Sequence, residues 1–204
     1  MPIVKHPGQR VGVFLDAQNL YHSAKNLYGA KVNFAAIMKE AIGGRSLIRA
    51  LAYVIRTETG EESAFFDAIG KLGIEIKVKD LQVFGDGAKK ADWDVGIAVD
   101  CIKLAPKLDA IVLVSGDGDY VPLVQYLKEN MGVQVEVISF GRSTSAKLKE
   151  AVDSFTDMCD NPRVFTMGGE RNEKRNKRPA VKRIQPSKDE PPLDDFIGAM
   201  SDQA

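Results

Sequence analysis

The chain has 204 residues, 44% hydrophobic and 27% charged, and its 28 basic and 28 acidic side chains leave a formal net charge of zero. That composition supports one packed domain, excludes attachment to nucleic acid through bulk charge alone, and offers no apolar run long enough to cross a membrane. Two cysteines, Cys101 and Cys159, make neither a disulfide framework nor a metal-ligand spacing, which suits a reducing cytoplasm.

Residues 1–10 are polar and lack the apolar stretch of a secretion signal, so they read as a lead-in. The first strand spans 11–15 and delivers Asp16, followed by Ala17, Gln18 and Asn19. Helical pieces follow at 20–25 and 34–41, the second stopped by Gly43 and Gly44. Residues 47–55 form a second apolar strand, 61–71 a helix, and 74–78 a third strand with a continuation toward Phe84. A helix over 92–104 ends before Pro106. The fourth strand, 110–114, delivers Ser115, Gly116, Asp117, Gly118 and Asp119. A helix at 120–130, a fifth strand at 133–138 and a helix at 147–151 follow, within one folded domain over 11–166.

Residues 167–204 break the pattern. Arg171, Lys174, Arg175, Lys177, Arg178, Lys182 and Arg183 make a basic cluster, and the stretch from Asp189 to Asp202 is acidic and proline-bearing. Such a segment buries too little apolar surface to offset the entropy of ordering, so a disordered, basic-then-acidic tail is expected. Within 193–200, Leu193, Phe196, Ile197 and Met200 fall at helical spacing. That spacing is either chance or a short helix that folds into the groove of a protein partner.

Strands apolar on both faces, alternating with helices, predict a three-layer α/β fold with a central, mainly parallel sheet of five or six strands. Ligands of such sheets sit beyond the carboxyl ends of the strands, where the strand order reverses. If the strands that deliver Asp16 and Asp117 are neighbours there, their acids converge on one crevice. Acids that close together repel, and a hard divalent cation, Mg²⁺ or Mn²⁺, is the economical counterweight. Asp94, at the start of a helix, joins the same group. Each position also has a structural reading. Asp119 fits a helix N-cap ahead of Pro122, Asp117 a tight turn, Asn19 a cap of the first helix, and Asp92 a cap of the helix that Asp94 enters. Asp100 lies too far along that helix for a tight metal shell. Lys89 and Lys90 either meet substrate phosphate or solvate a loop. His6 and His22 have no evident partners and read as surface or helix residues.

The runs Phe14-Leu15-Asp16-Ala17-Gln18-Asn19, Lys90-Ala91-Asp92-Trp93-Asp94-Val95 with Val99-Asp100, and Val114-Ser115-Gly116-Asp117-Gly118-Asp119-Tyr120 resemble the NYN domain family of PIN-like nucleases, in its bacterial branch. Ser145-Ala146-Lys147-Leu148, leading to Ala151-Val152-Asp153, also fits. The resemblance implies a PIN-like fold and an acidic cluster that binds Mg²⁺ or Mn²⁺ and cuts RNA. It assigns Asp16, Asp94, Asp117 and Asp119 as metal ligands, with Asn19 as a polar catalytic companion; Lys89, Lys90 and Ser115 are candidate substrate contacts. The sequence departs from the family pattern at Asp92 and Trp93, where a glycine and an aliphatic residue are usual.

The expected chemistry is metal-assisted phosphodiester hydrolysis, with no histidine or serine nucleophile. A different class of reading is a non-catalytic RNA-binding regulator that keeps the acidic pocket while the basic tail supplies affinity. An aspartyl-phosphate phosphatase is disfavoured, because Ala17 and Gln18 follow Asp16 without the second acid two residues on that such enzymes use.

Overall fold

The runs around Phe14, Leu51, Leu113 and Val137 are apolar on both faces, and they form the middle of a six-stranded parallel sheet. The computed structural model describes residues 3, 5–56, 63–80, 82–83, 89–90 and 92–168, with backbone alone at 63–65, 82–83 and 89–90. The sheet strands are β1 (Arg10–Asp16), β3 (Ser46–Arg56), β4 (Glu75–Asp80), β7 (Ala110–Val114), β8 (Gln134–Ser139) and β9 (Ser154–Asp157). Two further pairs are antiparallel: β2 (Lys31–Val32) with β10 (Thr166–Met167), and β5 (Gln82–Val83) with β6 (Lys89–Lys90).

Side chains alternate between two covering layers, as the pleat requires. Val11, Val13 and Leu15 of β1, with Val112 and Val114 of β7, meet α1 (Ala17–Tyr28) and α2 (Phe34–Ile42). Ile69 of α3 (Ser63–Gly70) and Phe165 of α7 (Pro162–Phe165) close that layer. Phe14, Leu51, Ile111 and Leu113 point the other way. They meet α4 (Asp94–Leu104), α5 (Val121–Glu129) and α6 (Ala146–Ala151) through Ile97, Cys101, Val124, Leu127 and Leu148. No helix among the described residues is long and apolar enough to cross a membrane.

The sheet order is β4-β3-β1-β7-β8-β9. The chain begins at the centre, steps outward through β3 and β4, then crosses back to β7 on the other side of β1. The order therefore reverses between β1 and β7, which pair in register from Val11 with Ala110 to Leu15 with Val114. The first residues beyond that ladder are Asp16 and Ser115. At the opposite end, Arg10 binds Asp109 through its backbone N–H at 2.7 Å and its guanidinium at 2.7 and 3.1 Å.

Several elements differ from the sequence expectation. Helix α1 begins at Ala17, because Asp16 ends β1 and caps the helix with no loop between them. It closes at Gly29, whose left-handed backbone (φ 59°) lets its N–H reach the carbonyls of Ala24 and Lys25. The cap expected at Asp119 is at Asp117 instead, where a 3-10 turn (Gly118–Tyr120) precedes α5. Trp93, not Asp92, is the N-cap residue of α4. The short edge strand β9 and the β2–β10 pair were not anticipated. The lead-in also contributes contacts: Arg10 opens β1, and the Lys5 ammonium lies 3.1 Å from Glu136. The expected run-on of the third strand ends with β4 at Asp80, since 82–83 belong to the separate β5–β6 pair and Phe84 lies outside the described residues; the expected disorder of the tail and the helical spacing within 193–200 also fall outside them.

Candidate active site

Asp16 sits at the floor of the crevice, with 9% of its surface exposed. Its Oδ1 accepts the Asn19 backbone N–H at 3.0 Å, which is the helix cap. Its Oδ2 accepts the Ser115 hydroxyl at 3.2 Å. Asn19 in turn accepts the Gly116 backbone N–H at 3.0 Å, so the exits of β1 and β7 are tied together side chain to main chain. Ser115 is fully buried, and its hydroxyl also accepts the Asp117 N–H at 3.3 Å. Asp117 accepts the Asp119 N–H at 2.9 Å, which fixes the turn that carries both acids.

From the other side of the crevice, α4 presents Asp94 in its first turn. Carboxylate oxygens of Asp94, Asp117 and Asp119 lie within 4.8 Å of one another. At that distance two full charges repel by roughly 3 kcal/mol, taking an effective dielectric of about 20. The Tyr120 hydroxyl donates to Asp94 Oδ1 at 2.9 Å and lies 3.5 Å from Asp16 Oδ2. It has a single proton, so its contact with Asp16 is best satisfied when Asp16 itself carries a proton and donates back.

The electrostatics follow from this arrangement. Burial pushes the Asp16 carboxyl up to about 6, opposed by the Asn19 and Ser115 hydrogen bonds and reinforced by Asp94 and Asp117. Asp94 is also raised, first by burial and then by its acidic neighbours, against the pull of Tyr120. The Tyr120 hydroxyl is pushed far up by burial and by the carboxylates around it.

A cleft of about 420 Å³ opens here, and Asp16, Asn19, Asp92, Trp93, Asp94 and Asp117 line it. The donors are carboxylate oxygens, the hard ligands that Mg²⁺ and Mn²⁺ take. A divalent cation fits this set, since it would offset the mutual repulsion that adds to burial in raising Asp16 and Asp94.

The four acids expected from the sequence therefore share one region: Asp94, Asp117 and Asp119 converge closely, and Asp16 lies at the floor, linked to Asp94 through Tyr120. Asp92 borders the same cleft outside the close trio. Asp100 is engaged elsewhere, accepting from Lys77 at 2.6 Å and from the Tyr53 hydroxyl at 2.9 Å. Lys89 and Lys90 are described as backbone only, in β6. Sequence reasoning gave no role to Tyr120, although it directly follows the Asp119 run. It also passed over Arg142, and it read His22 only as a surface or helix residue; both line the cleft, His22 from α1. His22 could have been placed by helical spacing, because it stands one turn beyond Gln18 and Asn19 on the same helix.

Among known proteins, residues 10–159 match the NYN domain family. Low amplitude and bright protein LabA of Synechococcus elongatus is 25% identical over 162 residues, spanning 74% of this chain and 84% of that protein. Among solved structures, VPA0982 of Vibrio parahaemolyticus, a protein of unknown function, is 28% identical with a TM-score of 0.72. That match covers 81% of this chain and 100% of the other.

Proposed function

The chain belongs to the NYN domain family, and from that premise we propose that it cleaves RNA by cation-dependent phosphodiester hydrolysis. The observation that carries this reading is the convergence of Asp94, Asp117 and Asp119 within 4.8 Å, beside the switch point of a parallel sheet. Those acids would hold Mg²⁺ or Mn²⁺, with Asp16 completing the negative field from the floor. A bound divalent ion supplies Lewis-acid polarisation of the phosphate and an activated water.

The chain's own residues do the positioning. Tyr120 fixes the Asp94 carboxylate by donating to it, and Ser115 holds Asp16 while receiving the Asp117 N–H. Asn19 uses its carbonyl oxygen to lock the two strand exits, which directs its amide group to donate to a substrate oxygen. Lys89 and Lys90 are proposed contacts for flanking phosphates.

The test is cleavage of labelled single-stranded RNA in Mn²⁺ by wild type beside Asp117→Asn and Asp94→Asn. Asparagine caps a turn as well as aspartate does, so Asp117→Asn removes charge and spares the turn. Each change is expected to lower the rate on the order of a hundredfold or more, and the double change to add little, because the acids act as a unit. Asp92→Asn is expected to be much milder. Equal cleavage by wild type and Asp117→Asn would overturn the proposal.

A further inference from the structure

Trp93 occupies a position where folding alone favours a different residue. As N-cap of α4 it makes no side-chain hydrogen bond to the helix, whereas a serine, threonine, aspartate or asparagine there contributes about 1 kcal/mol. What the indole does instead is line the cleft beside Asp16, Asp94 and Asp117. It is half-buried and held rigidly. Its Nε1 donates to the Val54 carbonyl at 3.0 Å, and its ring meets that of Tyr53 edge-on at 5.3 Å. Gly96 gives it room, since a Cβ there would lie 2.5 Å from the ring. The Lys79 ammonium lies 5.6 Å from the ring centroid and donates to the Asp92 carbonyl at 2.9 Å, which puts a cation at the same lip of the cleft.

A rigid indole beside a cluster that engages phosphate, with a lysine alongside, has the parts of a single-stranded nucleic-acid subsite. Bases stack on such rings regardless of sequence, and the cation meets the backbone. We propose that Trp93 is a stacking platform for one unstacked nucleobase of single-stranded RNA, next to the phosphate that the acids engage, with Lys79 facing an adjacent phosphate. This deepens the RNA reading above and rests on it. A duplex keeps its bases paired and stacked, so it cannot use the platform.

Trp93 is the single tryptophan of the chain, so its emission reports this position without any substitution. The full-length protein, in Ca²⁺ to limit turnover, is titrated with a mixed-sequence oligoribonucleotide that has no self-complementarity, and then with a duplex of the same length. Anisotropy of end-labelled RNA measures binding, and tryptophan emission of unlabelled mixtures measures stacking. Emission is expected to quench in step with single-strand binding and to stay flat with duplex. Trp93→Leu is expected to weaken single-strand binding about tenfold, while Trp93→Phe, which keeps a stacking face, stays close to wild type. Melting curves of both variants check the fold. Single-strand binding with unchanged emission would overturn the platform and leave the RNA reading intact, as would equal binding by the folded Leu and Phe variants. An anisotropy signal that no RNA moves would overturn both.

Discussion

Asp16 carries two conflicting demands. It caps α1 as a charged acceptor, yet it is buried among other acids. Its carboxyl is raised from 3.8 to about 6, so in chelator the folded protein holds a proton there that the unfolded chain has already lost. The sign follows: this contribution to stability is fully present below about 3.8 and is lost as pH rises through about 6. The gap corresponds to on the order of 3 kcal/mol. Asp16→Asn, which cannot ionise, is expected to gain stability relative to wild type across that window, measured by urea unfolding from pH 4 to pH 7 in chelator. A constant difference across the window would mean that Asp16 ionises freely in the fold. The residue scale is also where the sequence was least legible. Asp16 and the run from Asp117 to Asp119 stood out because they leave apolar strands, and Asp94 through its place at a helix start and the family resemblance. Tyr120 was not, because a tyrosine that opens a helix looks like core until its hydroxyl is seen between two carboxylates.

At the level of elements, the long buried strands β1, β3, β7 and β8 were legible from continuous apolar runs, and the adjacency of β1 and β7 followed from the switch-point rule. Strand β9 was not, since Ser154–Asp157 is short, half-buried and partly polar at the sheet edge. The start of α1 was missed for a related reason: one residue ends a strand and caps a helix, leaving no turn signal to read. A charged device joins α2 to β8. Arg45, buried in the turn between α2 and β3, donates to both Glu136 oxygens at 2.5 and 3.2 Å and to the Ala41 carbonyl at 2.7 Å. Burial pushes Glu136 up, but Arg45 and Lys5 outweigh it and hold the carboxyl below its usual value. Its stabilising contribution is therefore present above about 4.5 and is lost as pH falls through the lower folded value. Glu136→Ala strands a buried guanidinium and is expected to cost about 3–5 kcal/mol in urea unfolding. Adding Arg45→Met should recover most of that. A loss below 1 kcal/mol for the single change would show that water reaches Arg45.

For the whole molecule, an acid cluster that repels itself predicts a fold stabilised by a divalent cation. Binding to the folded state alone adds about 2.7 kcal/mol at a hundredfold excess over the dissociation constant, so millimolar Mn²⁺ or Mg²⁺ should raise the melting temperature. Asp94→Asn and Asp117→Asn should blunt the rise. No shift in wild type by calorimetry would mean that the acids hold no ion. The basic cluster from Arg171 to Arg183 belongs to the same scale, because a neutral chain with an acidic cleft needs positive charge elsewhere to hold RNA. Removing residues 169–204 should leave the melting temperature nearly unchanged and flatten the salt dependence of RNA affinity, whereas an identical slope would exclude the tail from binding. The reversal of strand order has a last consequence. The strands on one side of the β1–β7 seam come from residues 10–80 and those on the other from within residues 94–157, whose first helix packs back over β3. Asp16 and Asn19 belong to the first set, and Asp94, Asp117 and Asp119 to the second. A chain divided within 84–88 thus separates into two halves that each carry an unfinished site, and complementation between co-expressed fragments would rebuild the acid cluster with Asp16 and Asn19 only where the halves meet.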